Sequence, residues 1–442
     1  MISVTVNKGY DLNISGKPSS ALKKLKKPAQ VAFLPERIPF IKPRLKVKVN
    51  DTVKVGSVLF EDKQNTDLKF LSPGGGTVKT ITFGPRRVIQ EVVIALEKQE
   101  QYLDFQKFTT SDVQALDRKS LMKVFMQGGV WPLMRELPFR GIANPESRPS
   151  SIWVALGDQD PFQPLPEVYL QRREALFSFG LSILKQFGIP VNVSAPNDFR
   201  LEGYDSMLTH RVAGKYPAHD PGVVLYRTKK SAAENISWYV SGQDLLAMAA
   251  LLKTGQYPIE RVFVAGGSRV KNRRHFQTRI GVPVSEMIPE IMPDETCIAG
   301  GLLTGYEVKA ASYLGLYETS VTYIPKGDQA EFFGFFRPGF GKPSFSRTFL
   351  SVFKKQPFDM DNGMHGELRA CVNCGTCTKI CPVDILPQFT IKCLGADAIE
   401  EALAHGLLDC VECGLCSYVC PSKIEIREIL QKAKHDYYIE QR

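Results

Sequence analysis

Cysteine is almost missing from the first 370 residues of this 442-residue chain, where Cys297 stands alone; the other nine of its ten cysteines follow. A disulfide framework spread through the fold is therefore excluded, since such frameworks belong to small secreted chains in oxidising compartments. Long apolar runs are missing too, and none approaches the roughly 18 residues of a membrane-spanning helix. Met1 opens directly onto a strand-like stretch without the charged and apolar regions of a signal peptide. A cytoplasmic protein is expected, either free or docked on a membrane partner. Acidic residues are scarce at the start: residues 1–50 set eleven Lys or Arg against Asp11 and Glu36, an excess of nine within a net charge of +10. Such a basic region suits an acidic protein, a lipid surface or plain solvation. Nucleic acid is not expected as a partner, because no recognition motif accompanies the charge.

What remains is ordinary for a globular protein, with 43% hydrophobic and 23% charged residues, and the length suits several domains. Residues 1–105 read as β. Leu45–Val49 and Thr77–Ile81 alternate apolar and polar, and Asn50-Asp51, Gly56 and Ser72–Gly76 mark turns. This pattern resembles the barrel-sandwich domains that include lipoyl carriers. Lys63, however, sits off-centre between Gly56 and Ser72-Pro73, which disfavours a swinging arm. Residues 106–257 alternate strand and helix signals, as in an open α/β sheet. Ser151–Leu156 and Ile189–Val193 read as strands. Val168–Phe187 reads as a helix, and Ser241 caps another that runs to about Lys253. Residues 258–325 return to β character, with Arg261–Gly267 and Ser320–Ile324 as strands. Residues 326–365 form an irregular linker whose seven phenylalanines, Phe332 through Phe349, are expected to pack on neighbours.

Residues 366–442 carry the chemistry. Cys371-x2-Cys374-x2-Cys377-x3-Cys381-Pro382 is followed by Cys410-x2-Cys413-x2-Cys416-x3-Cys420-Pro421. Each is a complete bacterial ferredoxin run, in which the fourth cysteine serves the other cluster. Two [4Fe–4S] clusters are therefore expected, one held by Cys371, Cys374, Cys377 and Cys420, the other by Cys410, Cys413, Cys416 and Cys381. Two four-thiolate zinc sites could use the same sulfurs, but three thiolates crowded at one corner suit a cube better than a single ion. The fourth cysteine of each run should start or sit on a helix leading toward the other cube. Gly375 and Gly414, each following a ligand, would let backbone N–H groups approach the sulfides. The long spacer before Asp409 has Ile399, Leu403 and Leu407 at helical spacing, and Ile424–Ala433 reads as a terminal helix. Cys393 and Cys297 are read as small buried hydrophobes.

Several stretches together resemble one family. Lys8–Gly16, Ser150–Val154 with Asp158-Gln159-Asp160-Pro161, Ala265–Asn272, Gly300–Gly305 and Tyr313-Leu314-Gly315 are similar to the A-type subunit of the sodium-translocating NADH:quinone reductase. The resemblance implies a multidomain α/β and β protein. Its parts would be an N-terminal barrel-sandwich domain, a central α/β domain like the flavin subunit of respiratory complex I, a β-grasp domain and a helical dicluster ferredoxin module. It further implies an electron-transfer subunit, peripheral on the cytoplasmic face of the inner membrane and partnered by integral membrane subunits. Quinone, NADH and FMN are the small molecules implied. The best-known members have largely lost these cysteines, whereas the C-type subunit of Rnf-type complexes keeps them. For a flavin or NADH site the resemblance points to Gly128, Gly129, Asp158 and Asp160. Val130 and Trp131 stand where the flavin fold has a glycine loop, and Asp158-Gln159-Asp160-Pro161 only approximates its Glu-x-Glu-Pro loop.

Overall fold

The computed structural model describes residues 1–157, 160–327, 333, 336 and 338–441. Two small antiparallel sheets face each other near the N-terminus. One has the order Gln30–Phe33, Ile89–Leu96, Gly76–Phe83, Thr52–Val53, and the other Pro43–Leu45, Val58–Asp62, Lys69–Leu71. Alternation sends Val31, Phe33, Val78, Val92 and Ile94 inward onto Phe60 and Phe70, whose rings stack at 4.5 Å.

The central sheet has seven strands, in the order Ile2–Val6, His210–Gly214, Val191–Pro196, Ile152–Ala155, Ser237–Ser241, Arg135–Leu137, Gly141–Ile142. The first five pair in parallel, and the last two are joined on by antiparallel pairings. Parallel strands need cover on both faces, and the pleat serves both. Ile152 and Val154 point to one side, toward the core that includes Leu181, Leu184, Leu245 and Leu252 of helices Glu174–Lys185 and Gly242–Thr254. Trp153 points to the other, toward Val223 and Val224 of helix Pro221–Thr228. Ser241 caps its helix by accepting from the Asp244 N–H at 3.1 Å. The apolar run expected as one helix from Val168 is broken in two, Pro166–Tyr169 and Glu174–Lys185.

The third unit is a mixed six-stranded sheet, ordered Tyr306–Val308, Glu295–Ala299, Ser320–Pro325, Glu260–Gly266, Arg274–Arg279, Ser19–Lys24. Cys297 lies wholly buried in it, and burial pushes its thiol up to about 12. The first 24 residues thus lend a strand to each of two distant sheets before the N-terminal barrel begins at Gln30. Among the linker phenylalanines, Phe345 packs edge-on against Tyr10 at 5.4 Å, as expected, while three others do not. Phe333, Phe336 and Phe340 are more than half exposed, because no sheet or helix of their own gives them a face to cover. Phe332 and Phe335 lie outside the described residues.

Candidate metal centre

The C-terminal module is a structural repeat with a period of 410 − 371 = 39 residues. Left-handed backbone recurs at Asn373 and Glu412, Gly375 and Gly414, and Asp384 and Lys423. Helix Thr376–Ile380 matches Leu415–Tyr418, and helix Pro387–Gly395 matches the start of Ile426–Glu440. Gly375 and Gly414, at φ of +71° and +80°, stand at the N-caps of the two short helices. A left-handed residue there turns each loop back over its cysteines at little cost only when it has no Cβ. The fourth cysteine of each run does not start a helix, as expected, but ends one. Cys381 caps the C-terminus of Thr376–Ile380, and Cys420 follows Val419 at the end of Leu415–Tyr418, where the next residue, proline, cannot continue the helical bonding.

The repeat folds its halves together so that the cysteine runs interleave. Cys371, Cys374, Cys377 and Cys420 line a cavity of about 330 Å³, floored by Gln388 and Ile426. Cys381, Cys410, Cys413 and Cys416 line another of about 370 Å³, which Cys377 also touches. Either cavity therefore takes three cysteines of one run and the last of the other. Cys393 belongs to neither and packs, half-buried, against the module core.

The two cavities differ in surroundings. The outer one opens at Cys374, the exposed cysteine of the eight, beside Val372 at 68% exposure. The Thr376 hydroxyl at 3.1 Å from Cys374 Sγ lowers the pKa of that thiol. Gln388 Oε1 accepts from Cys377 Sγ at 3.3 Å and also holds the Thr378 hydroxyl. The inner cavity is sunk against the central sheet. Cys381 and Cys410 of this set, together with Cys377 and Cys420 of the outer one, share one core with Val4, Val6, Trp153, Val212 and Val224. The module is thus the cover on the second face of the parallel strands. Burial pushes the Cys381 thiol up to about 11 and raises Cys410, Cys413 and Cys416 as well. Metal thiolates must shed those protons on binding, so metal loading here is coupled to pH.

Polar contacts fix the seat. The Tyr216 hydroxyl donates to the Cys413 carbonyl at 2.7 Å. Arg427 donates to the Thr304 and Glu412 carbonyls, each at 3.0 Å. Lys229 pairs with Asp409 at 2.5 Å, while Lys8 and Arg227 both reach Asp384 at 2.7 Å. Sequence reading missed the central one. Lys434, 2% exposed, donates to the carbonyls of Cys410 at 2.8 Å and Pro138 at 2.9 Å, and to Glu412 Oε1 at 2.7 Å. Its signal was a lysine on the apolar face of the last helix, four residues after Leu430.

The residues considered for flavin or NADH are placed otherwise. Gly128 ends helix Arg118–Gln127, and a Cβ there would lie 2.3 Å from Leu251; a Cβ on Gly129 would lie 2.5 Å from Leu71. Both glycines are buried, and the space that a phosphate would need is filled by leucine side chains. A helix C-terminus also presents carbonyls, the wrong charge for phosphate. Asp160 is buried and accepts from the Leu302 N–H at 2.9 Å and the Thr304 hydroxyl at 3.1 Å, which ties it to the six-stranded unit. Asp158 lies outside the described residues. Gly128, Gly129 and Asp160 do not fit a phosphate cradle.

Comparison with known proteins follows the same division of the chain. Family models match at residues 4–97 (NqrA N-terminal barrel-sandwich hybrid domain), 116–257 (NqrA second alpha/beta domain) and 370–424 (4Fe-4S dicluster domain). The chain is 32% identical over 420 residues to the NqrA subunit of the Na(+)-translocating NADH-quinone reductase of Pasteurella multocida, covering 92% of each chain. The Mannheimia succiniciproducens protein of the same name is 32% identical over 409 residues, again with 92% of each chain covered. A solved NAD+-reducing [NiFe]-hydrogenase is similar at a TM-score of 0.34 and 10% identity, over 51% of this chain and 52% of that one, too weak a likeness to carry fold or function. With relatives of that identity and coverage, the chain belongs to the NqrA family of Na(+)-translocating NADH-quinone reductase subunits, and it carries a 4Fe-4S dicluster domain at its C-terminus.

Proposed function

We propose that this protein is the peripheral electron-transfer subunit of a membrane-bound, sodium-translocating NADH-quinone reductase, and that it carries two [4Fe–4S] clusters. Cys371, Cys374, Cys377 and Cys420 would hold the outer cluster, and Cys381, Cys410, Cys413 and Cys416 the inner one. The observation that carries this reading is the interleaving of the two runs around separate cavities, three cysteines from one and one from the other. Three thiolates crowded at one corner by the x2-x2 spacing suit a cube better than a single zinc ion.

When bound, such clusters supply reversible one-electron chemistry; the chain supplies ligation, burial and spacing. The Glu412 N–H, 3.4 Å from Cys410 Sγ, is a donor placed to temper negative charge at the inner set. Among the described residues no helix is long and apolar enough to cross a membrane. In this reading partner subunits cross the membrane and this chain lies on their cytoplasmic face. In this reading quinone and NADH are substrates of the whole assembly, as the relatives' name describes for those proteins.

Cys374→Ser tests the ligand sets. Iron per chain should fall by about half, with one cluster signal surviving in electron paramagnetic resonance. Unchanged iron would overturn the assignment. Co-purification of membrane subunits with the chain tests the partnership, and a chain that purifies without them from gently solubilised membranes would count against it.

A further inference from the structure

The repeat places unlike residues at matching positions beside its two cavities. Lys434 lies eight residues into the last helix; the matching position of the first half, 434 − 39 = 395, is Gly395, which ends its helix. Among the described residues Lys434 is the one buried lysine. Burying an ammonium costs several kcal/mol unless it is paired and hydrogen-bonded, and all three of its donors are spent: on the backbone of a cysteine in the inner set, on the carboxylate two residues further along, and on the Pro138 carbonyl of the central domain. A neutral side chain could have filled the same space. Arg427, at the start of the same helix as Lys434, donates to the Glu412 carbonyl of that loop, and Arg140, paired with Asp220 at 2.6 Å, lines a cleft shared with Cys410. The outer set faces Gln388, a neutral amide, at the position that Arg427 holds in the other half.

We infer that Lys434 is a positioning residue that holds a fixed positive charge beside the inner cysteine set and so makes that set more readily reduced than it would be without the charge. This rests on the two-cluster reading. An electron arriving at the inner set adds one negative charge to a site removed from water, where a fixed cation stabilises it far more than at the wet outer set. The same lysine joins that charge to the docking of the module, since one of its three bonds crosses to the central domain.

The test is redox-poised electron paramagnetic resonance on the full chain and on Lys434→Met, which keeps length and removes charge. At the potential where the wild-type inner signal is half reduced, the variant's ratio of reduced to oxidised should fall about tenfold, a downward shift of about 59 mV for one electron, with the outer signal unmoved. Lys434→Arg should stay near wild type. Glu412→Gln removes the opposing charge and should move the same signal upward, a change of sign that a merely structural lysine would not produce. Full iron with both potentials unmoved in Lys434→Met, or both moved equally, overturns this inference alone. A chain without iron and sulfide overturns the two-cluster reading along with it.

Discussion

The two cysteine sets arise from one 39-residue unit used twice, yet their surroundings differ, with an exposed cysteine in the first set and none in the second. Local geometry is repeated down to the left-handed residues, so ligation is set by short-range sequence. Environment is not. The outer set meets solvent through Cys374 and Val372, while the inner set is pressed onto a parallel sheet that needed a cover. The lesson is that one motif can be given two surroundings when the fold packs differently around each copy.

The widest separation between the copies should come from removing one cysteine of each. Cys374→Ser and Cys413→Ser should each cost half the iron, but only the second should also loosen the module, because the Cys413 side chain packs against two apolar cores while Cys374 is exposed. Thermal melts of the pair, with limited proteolysis after residue 365, would show this as a markedly lower transition for Cys413→Ser alone. Equal melts would break the comparison.

Next comes the surface that seals the inner set. Trp153→Ala removes the large side chain that the sheet offers to the module, at a cost of about 3–5 kcal/mol, measurable by denaturant titration. Exposure of the module should accompany it, seen as faster loss of the inner cluster to chelator. Asp384→Asn, at a pair of bridges with partners 26–38% exposed, should cost no more than about 1 kcal/mol and leave both clusters in place.

Acid should act elsewhere. Burial lowers the pKa of His275, whose Nδ1 lies 2.8 Å from the Ser19 carbonyl while Nε2 accepts from the Leu165 N–H at 2.9 Å. Burial likewise lowers His210 and His219. In the unfolded chain each binds a proton near pH 6.5, and in the folded chain only at lower pH. Their contribution to stability is therefore complete above about pH 6.5 and is lost as pH falls from there toward the folded pKa values, by at most about 1.4 kcal/mol per unit per histidine. Melts between about pH 7.5 and pH 5.5 should decline accordingly, and His275→Gln should flatten part of the slope.

Much of the metal centre was legible because ligand spacing is local: three thiolates two residues apart can only wrap one corner, and the duplicated run announces its twin. Helix caps such as Ser241 were legible for the same reason. Long-range pairing was not. Nothing in Ile2–Val6 or Ser19–Lys24 says that these strands leave the barrel region to pair with His210–Gly214 and Arg274–Arg279, since pairing partners two hundred residues away leave no local pattern. Gly128-Gly129 illustrates the opposite failure. A glycine pair reads alike at a phosphate loop and at a helix end, and only Leu71 and Leu251 packed against it decide between them. Lys434 escaped notice because a lysine's burial depends on partners supplied by three separate segments.

The most direct measurement is the iron and acid-labile sulfide content of anaerobically isolated protein, read together with its low-temperature paramagnetic spectrum after reduction. The account predicts about eight iron and eight sulfide per chain and two interacting signals, as two four-iron cubes require. Colourless protein holding only zinc, or no metal, would contradict it.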